Sequence, residues 1–136
     1  MTRYLLDTGI ASDYMNRRCG VFERVKAAAA RGHRIGLAMP GLGELWTGVF
    51  NSASREKNLR LLLRYRSHFV VWPFDEPAAK RFGELAAELI RIGRPMGQID
   101  MQIAAIALML GDCVVVSKDS DLRAVPGLTV EDWSQP

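Results

Sequence analysis

One stretch of the sequence decides the fold class: residues 100–116 read DMQIAAIALMLGDCVVV. From Asp100 to Leu110 this stretch is apolar on nearly all sides of a helix, which predicts a helix buried against a sheet. After a turn at Gly111, the run Cys113–Val116 is rich in β-branched residues, as is typical of a strand covered on both faces. The stretch therefore predicts a buried helix that leads into a buried strand.

The rest of the chain repeats this alternation of strands and helices. Strands are predicted over residues 4–6, 35–38, 69–72, 113–116 and 125–130. Helices are predicted up to residue 15 and then over residues 21–31, 40–50, 54–67, 77–92 and 100–110. The alternation indicates an α/β fold, with a mostly parallel sheet in a three-layer α/β/α domain. At 136 residues, the chain is expected to form one domain over residues 1–136.

Three of the helices show an apolar stripe that we expect to face the sheet, and Ser54 is expected to cap the second of them. The inward residues are predicted to be Leu42, Leu45, Trp46, Val49 and Phe50 in the first, Leu59, Leu62 and Leu63 in the second, and Phe82, Leu85, Ala86, Leu89 and Ile90 in the third.

The composition excludes several classes of protein. Hydrophobic residues make up 49% of the chain and charged residues 24%, which is the balance of a globular protein and not of a disordered one. The longest apolar run, Ile103–Leu110, is far shorter than the roughly 20 residues that span a membrane. Asp7 comes too early for a signal peptide. Cys19 and Cys113 lack the spacing of a zinc site, so we expect buried free thiols in a soluble, cytoplasmic protein.

The basic residues are mostly arginine. The chain has 18 Lys and Arg residues against 15 Asp and Glu, and a net charge of +3. Arginine suits bidentate contacts to phosphate, so one arginine-rich helix is a candidate for contacts to the phosphates of a nucleic acid. Its arginines are Arg55, Arg60, Arg64 and Arg66. A helix face that is simply solvated remains an equal alternative.

Carboxylates lie close to the ends of the predicted strands. Asp7 ends the first strand, Glu44 lies about one turn into the helix after the second, and Asp119 follows the strand at 113–116. Asp100 opens the buried helix. Because ligands bind outside the carboxyl ends of parallel strands, these four acids could converge on one edge of the sheet.

A purely structural role is the alternative for most of these acids. Asp7 and Asp100 stand where a side chain can cap a helix, and Asp119 and Asp121 where it can close a turn. Glu44 is harder to explain in this way. On its own helix face it is flanked by Gly41 and Gly48, and two glycines in one helix suggest a face kept clear for close approach.

Crowded carboxylates cannot all stay ionised without a compensating cation. All-oxygen ligands suit Mg²⁺ or Mn²⁺, which complete their coordination with water and with substrate phosphates. Such a metal next to an arginine-rich surface is suited to phosphodiester hydrolysis, since the metal lowers the pKa of a water and offsets charge on the phosphate.

At these residues the chain resembles the PIN-domain ribonucleases of the VapC toxin type, over essentially its whole length. The resemblance is carried by the segments Leu5-Leu6-Asp7-Thr8, Gly43-Glu44-Leu45, Gly93-Arg94-Pro95, Ile99-Asp100-Met101-Gln102-Ile103-Ala104-Ala105, Val115-Val116-Ser117-Lys118-Asp119-Ser120-Asp121-Leu122, Val125-Pro126-Gly127-Leu128 and Val130-Glu131-Asp132-Trp133. The chain departs from the family pattern at Gly9, where Asn is usual, at Ala38–Gly41, at Lys118 and at Leu122.

The resemblance implies an endoribonuclease that depends on Mg²⁺ or Mn²⁺. Asp7, Glu44, Asp100 and Asp119 fall on the family's metal-binding positions, and Glu44 would also orient the attacking water. Three further residues are candidates for contacts behind the metal ligands, namely Thr8, Ser117 and Asp121.

The resemblance also implies two protein partners, a second copy of the chain in a homodimer and a cognate antitoxin. The antitoxin would lay a short segment across the groove of the active site. Trp46, Val49 and Phe50 are candidates for that groove if the core does not bury them.

Three alternative functions compete with this one, and the predicted helices argue strongly against the first. The sequence Asp7-Thr8-Gly9 is similar to the catalytic turn of retroviral aspartic proteases, but those enzymes need two such turns and an almost all-β chain. A Toprim-like site would use Glu44 with Asp119 and Asp121, and would leave Asp7 and Asp100 unexplained. A PIN-like module without catalytic activity, which only binds RNA or protein, is the third alternative.

Overall fold

In the computed structural model, which describes residues 1–136, five strands form one sheet. The strands are β1 (Arg3–Leu6), β2 (Arg34–Ala38), β3 (Val70–Trp72), β4 (Cys113–Val116) and β5 (Thr129–Glu131). Their spatial order is β3-β2-β1-β4-β5, and every neighbouring pair is parallel. The α/β fold class is confirmed, and the sheet is wholly parallel where we expected a mostly parallel one.

Seven helices connect and cover the strands. They are α1 (Thr8–Met15), α2 (Val21–Ala30), α3 (Met39–Phe50), α4 (Arg55–Arg66), α5 (Glu76–Arg91), α6 (Gln98–Leu110) and α7 (Ser120–Arg123). No helix has both the length and the apolar surface needed to cross a membrane.

The core consists of two clusters, one on each face of the sheet. Leu6 and Val116 point to the face covered by α1, α2, α3 and α4, whereas Leu5 and Val115 point to the face covered by α5, α6 and α7. This division follows from the alternation of side chains along a strand. Leu5, Val115 and Val116 are fully buried, so β1 and β4 lie in the centre of the predicted three-layer arrangement.

Several predicted positions were wrong in detail. Phe50, Leu63 and Ile90 were expected to face inward, but they are 56%, 59% and 73% exposed. Each lies at the margin of its apolar stripe, directly after a residue that is buried in the core. The last strand is shorter than predicted, because residue Val125 is buried in the core after α7 and pairs with no strand.

Two smaller expectations also need correction. Ser54 precedes α4, but its side chain makes no capping hydrogen bond. Instead the hydroxyl of Ser52 accepts the backbone N–H of Ser54. Both cysteines are free, as expected, but only Cys113 is partly buried and Cys19 is exposed. Burial raises the pKa of the Cys113 thiol to about 11, which makes it a poor nucleophile.

Gly36 in β2 allows β3 to pack closely. A Cβ atom at this position would lie 2.5 Å from the carbonyl oxygen of Val70 and 2.6 Å from the indole ring of Trp72. Since a backbone atom cannot move aside without shifting the strand, only glycine fits here.

We therefore expect Gly36→Ala to lower the free energy of unfolding by about 1–3 kcal/mol, the usual effect of overpacking. Gly83→Ala in α5 is the matched control, since a Cβ there meets no atom within 4 Å. The control should gain up to about 1 kcal/mol from helix propensity. Urea denaturation measures both, and equal stability of Gly36→Ala and the wild type would show that the close strand approach is not a constraint.

Candidate active site

The parallel pairing of β1 and β4 brings two acidic segments to one edge of the sheet. Leu6 is the register partner of Val116, so the residues that follow, Asp7 and Ser117, leave the sheet side by side. The backbone N–H of Asp7 donates to the carbonyl of Val116 at 3.0 Å and extends the pairing by one step. Asp119 then lies only two residues beyond Ser117.

Asp7 is both a helix cap and a member of this edge. Its Oδ1 accepts the backbone N–H of Ile10 at 2.9 Å at the start of α1, and its Oδ2 accepts the hydroxyl of Ser117. Burial raises the pKa of Asp7, although these two hydrogen bonds act in the opposite direction. The capping interpretation is therefore correct for Asp7, and it is compatible with a role in metal binding.

Ser117 is fully buried and connects Asp7 to Asp119, because its hydroxyl oxygen also accepts the backbone N–H of Asp119 at 2.9 Å. The carboxylate of Asp119 in turn accepts the N–H of Asp121 at 2.9 Å and caps the short helix α7. The side chain of Asp121 is exposed, and only its backbone takes part in this arrangement.

Asp100 is placed by α6, and the structure corrects its expected role in that helix. The residue at the helix cap is Gly97, and Asp100 lies in the first turn without capping it. A Cβ atom at Gly97 would make an ordinary van der Waals contact with Oδ2 of Asp100, at 3.6 Å.

The other acids act on Asp100 electrostatically. Burial raises the pKa of Asp100 to about 6, with further increases from the charge of Asp119 and from a side-chain hydrogen bond between these two carboxyl groups. The charges of Glu44 and Asp7 add to the increase. The structure thus brings all four predicted acids close enough for their charges to interact.

Glu44 reaches this edge from α3 and is held by α1. The hydroxyl of Thr8 donates to Oε1 of Glu44 at 2.5 Å, which leaves Oε2 free. Of the two glycines on this helix face, Gly41 is buried near Thr8, whereas a Cβ at Gly48 would meet nothing within 4 Å. The helix face that we expected to be open for close approach is therefore open at Gly48.

The acids form an open edge and not a closed cage. No group of three or more His, Cys, Asp or Glu side chains is arranged to hold a metal ion, so direct binding by three of them requires side-chain rotation. Their chemistry nevertheless fits a hard divalent cation, because all four donors are carboxylates and their mutual repulsion is relieved by positive charge. Such cations keep several water ligands and need few from the protein.

One residue near the site was missed by the sequence analysis. Asp13 in α1 is buried, with 4% exposure, and binds Lys118 Nζ at 2.9 Å and Arg18 Nε at 3.2 Å. The hydrogen bond from Lys118 to Asp13 raises the pKa of Lys118 and fixes the segment between Ser117 and Asp119. The available signal was the position of Asp13 three residues after Ile10, on the buried face of α1. Lys118, one of the departures from the family pattern, thus has a partner of its own.

The arginines of α4 lie outside the acidic edge. Arg55 donates to the carbonyl oxygen of Phe50 at 2.9 Å, and the guanidinium of Arg64 lies 5.4 Å from the ring centre of Tyr65. The side chains of Arg60 and Arg66 make no hydrogen bond or ion pair within the chain. A role of these arginines in RNA binding stays a prediction.

Comparison with known proteins agrees with this architecture. The PIN domain family model matches residues 4–128. The chain is 33% identical to the "tRNA(fMet)-specific endonuclease VapC" of Shigella flexneri over 135 residues, which are 98% of this chain and all of that protein.

Solved structures of complexes are also similar. The structure of DNA-bound VapBC from Salmonella typhimurium matches with a TM-score of 0.88 and 31% identity, over 98% of this chain and 99% of that one. The structure of VapBC2 from Rickettsia felis, bound to a DNA fragment from their promoter, matches with a TM-score of 0.89 and 25% identity, over 97% and 99% of the two chains.

These matches exclude the aspartic protease, which would need an almost all-β chain, and a Toprim-like site, which would omit Asp7 and Asp100. The chain belongs to the PIN domain family and, within it, to the VapC proteins.

Proposed function

We propose that the chain is an endoribonuclease dependent on Mg²⁺ or Mn²⁺ that cleaves cytoplasmic RNA. The observation that carries this proposal is the convergence of Asp7, Glu44, Asp100 and Asp119 at one edge of the sheet, where hydrogen bonds of Ser117 and Thr8 hold three of them. The relatives support the substrate class, since they are named as ribonucleases or as a tRNA-specific endonuclease.

Each acid has a defined task in this proposal. Asp7, Asp100 and Asp119 would hold the metal, and Glu44 would bind it directly or through a water. When bound, the metal supplies a more acidic water and neutralises charge on the phosphate. Thr8 holds one oxygen of Glu44, so the other oxygen is free to orient the attacking water and accept its proton.

Two hydroxyl groups keep these acids in place. Ser117 donates to Asp7 and accepts from the backbone of Asp119, so that one buried side chain orients two of the metal-binding acids. Thr8 orients a further acid of the site, because its hydroxyl donates to the carboxylate of Glu44. Because hydrogen bonds of this kind fix the position of ligands, we assign Thr8 and Ser117 to positioning.

We also infer that the chain is the toxin of a toxin–antitoxin pair and that it forms a homodimer. The support comes from relatives named VapC and from similar structures that are VapBC complexes. Of the three apolar residues considered for the antitoxin groove, Val49 belongs to the core. Phe50 remains exposed and stacks on Trp46 with ring centres 5.8 Å apart, which makes this pair the candidate contact.

The first prediction from this proposal concerns cleavage. Asp100→Asn should reduce Mg²⁺-dependent cleavage of a tRNA transcript by about 100-fold or more, as expected when one preorganised charge is removed from an active site. Asp112→Asn is the matched control: it removes the same charge at the opposite end of β4, where the positive φ of 42° suits Asn. Gel assays with purified proteins measure both rates.

The outcomes separate the alternatives. Full activity of Asp100→Asn would show that the site is assigned to the wrong acids. A wild-type chain that binds RNA but does not cut it with either metal would instead support the module without catalytic activity.

The second prediction concerns metal binding and pH. A metal that binds only the folded state raises stability by RT ln(1 + [L]/Kd), about 2.7 kcal/mol at a hundredfold excess over Kd. Because the pKa of Asp100 is about 6, protons compete with the metal below that pH. The rise in Tm with Mn²⁺ should therefore be large at pH 8 and small at pH 5.

The stability of the metal-free protein should change with pH in the opposite direction to the Mn²⁺-induced rise in Tm. A carboxyl group with a raised pKa in the folded state favours folding when it is protonated, so stability should fall as the pH rises from about 4 to 6 and then level off. Asp100→Asn should weaken both effects, and Asp112→Asn should keep them. Scanning calorimetry measures these changes, and the absence of any Mn²⁺ effect in the wild type at pH 8 would contradict the proposed metal site.

A further inference from the structure

A cavity of about 380 Å³ lies next to the acidic edge, between α1, α3 and α4. Thr8 and Glu44 belong to its wall, and they are also the hydrogen-bonded pair that joins α1 to α3 at the acidic edge. The cavity and the proposed metal site are therefore neighbours that share a hydrogen-bonded wall. Its volume is in the range of pockets that bind small organic groups.

The lining of the cavity combines amide groups with aliphatic side chains. Asn16 donates its amide N–H to the carbonyl oxygen of Ser12 at 2.9 Å, and Asn58 donates to the hydroxyl of Ser52 at 2.7 Å. In both cases the amide oxygen has no partner in the protein and can accept a hydrogen bond. Met15 and Leu61 supply apolar surface. A nucleobase has matching properties, since its faces are apolar and its edges carry donors and acceptors.

Gly48 lines the same cavity, and packing does not explain why this position is glycine. A glycine inside a helix costs about 1 kcal/mol relative to alanine. A Cβ atom at Gly48 would nevertheless meet nothing within 4 Å. Gly43 and Gly83 are equally unobstructed, but they do not line the cavity. At Gly48 the missing side chain has a consequence, because any larger residue would narrow the cavity.

The charge around the cavity favours RNA as its occupant. Arg18 lies on the wall, where its Nη2 donates to Ser12 Oγ at 3.0 Å and its Nε binds Asp13, while its side chain stays 56% exposed. A guanidinium fixed in this way can contact a phosphate next to the cavity. A strand that places one phosphate at the acidic edge then has a base pocket and a second phosphate contact beside it.

We propose that this cavity holds the base of a nucleotide adjacent to the cleaved phosphate, and that Asn16, Asn58 and Gly48 determine the sequence at which the enzyme cuts. This proposal rests on the proposed ribonuclease function and deepens it. RNA is the occupant favoured here because the cavity shares Thr8 and Glu44 with the acidic edge, where the cleaved strand must lie.

The test uses the full-length protein and a pool of RNA hairpins with randomised loops, with cleavage sites mapped by sequencing. Gly48→Leu places a side chain at the wall of the cavity and should lower the rate at the preferred sequence at least tenfold. Asn16→Ala removes a hydrogen-bond acceptor and should reduce the preference for one base about tenfold, while cleavage continues at other sequences. Gly83→Leu is the matched control and should cut like the wild type.

The rise in Tm with Mn²⁺ provides the second measurement, and it should be unchanged in all three variants because the acids are intact. This result distinguishes a blocked cavity from a misfolded protein. An unchanged cleavage preference in both Gly48→Leu and Asn16→Ala would overturn the proposal.

Two further outcomes would also overturn it. If the variants cut normally but are no longer inhibited by the cognate antitoxin, the cavity binds protein and not RNA. If the wild type cuts none of the RNAs, the ribonuclease function itself fails, and the wild-type reaction shows this before any variant is compared.

Discussion

Repulsion among four carboxylates is the interaction on which the proposed site depends. Asp7 and Asp119 are brought together by the parallel pairing of β1 and β4, while Glu44 and Asp100 arrive from α3 and α6. None of the four has a basic residue as an ion-pair partner, since both salt bridges of the chain involve Asp13. The unfavourable charge is therefore left for a cation to neutralise, and it adds to the effect of burial in raising the pKa of Asp100.

The hydrogen bonds around these acids have two roles at once. Those that close the first turn of α1 and the turn before α7 also fix the carboxylates of Asp7 and Asp119. The structural and the functional interpretation of an acid at a helix start are thus compatible. The ion pair of Lys118 with Asp13 adds a second contact that holds the segment between Ser117 and Asp119.

The fold could be predicted from the sequence because its strands are short, apolar and separated by helices with a clear period. The full burial of Val115 and Val116 agrees with the continuous β-branched run. What could not be predicted is how far each helix face is covered. Ile90 and Leu63 are about as apolar as their buried neighbours Leu89 and Leu62. They stay exposed because the packed face of each helix is too narrow to include them.

The acids of the site could be predicted from the sequence, but their detailed roles in the helices could not. Strand ends indicated which acids could converge, because parallel strands end at one edge of the sheet. The role of Asp100 within α6 was not predictable in detail, since the helix begins two residues earlier, after Gly97. Asp13 was missed because its partners, Arg18 and Lys118, are 5 and 105 residues away, and only the folded chain brings Lys118 to it.

If the four acids share a divalent cation, anomalous diffraction from crystals grown with Mn²⁺ will locate it. We expect an anomalous peak at the carboxyl edge of the sheet, within bonding distance of Asp7, Asp100 and Asp119 and close to Glu44. The peak should be lost in Asp100→Asn and retained in Asp112→Asn. Crystals with Mn²⁺ at saturating concentration and no peak at this edge, or a peak that persists unchanged in Asp100→Asn, would contradict a cation shared by these acids.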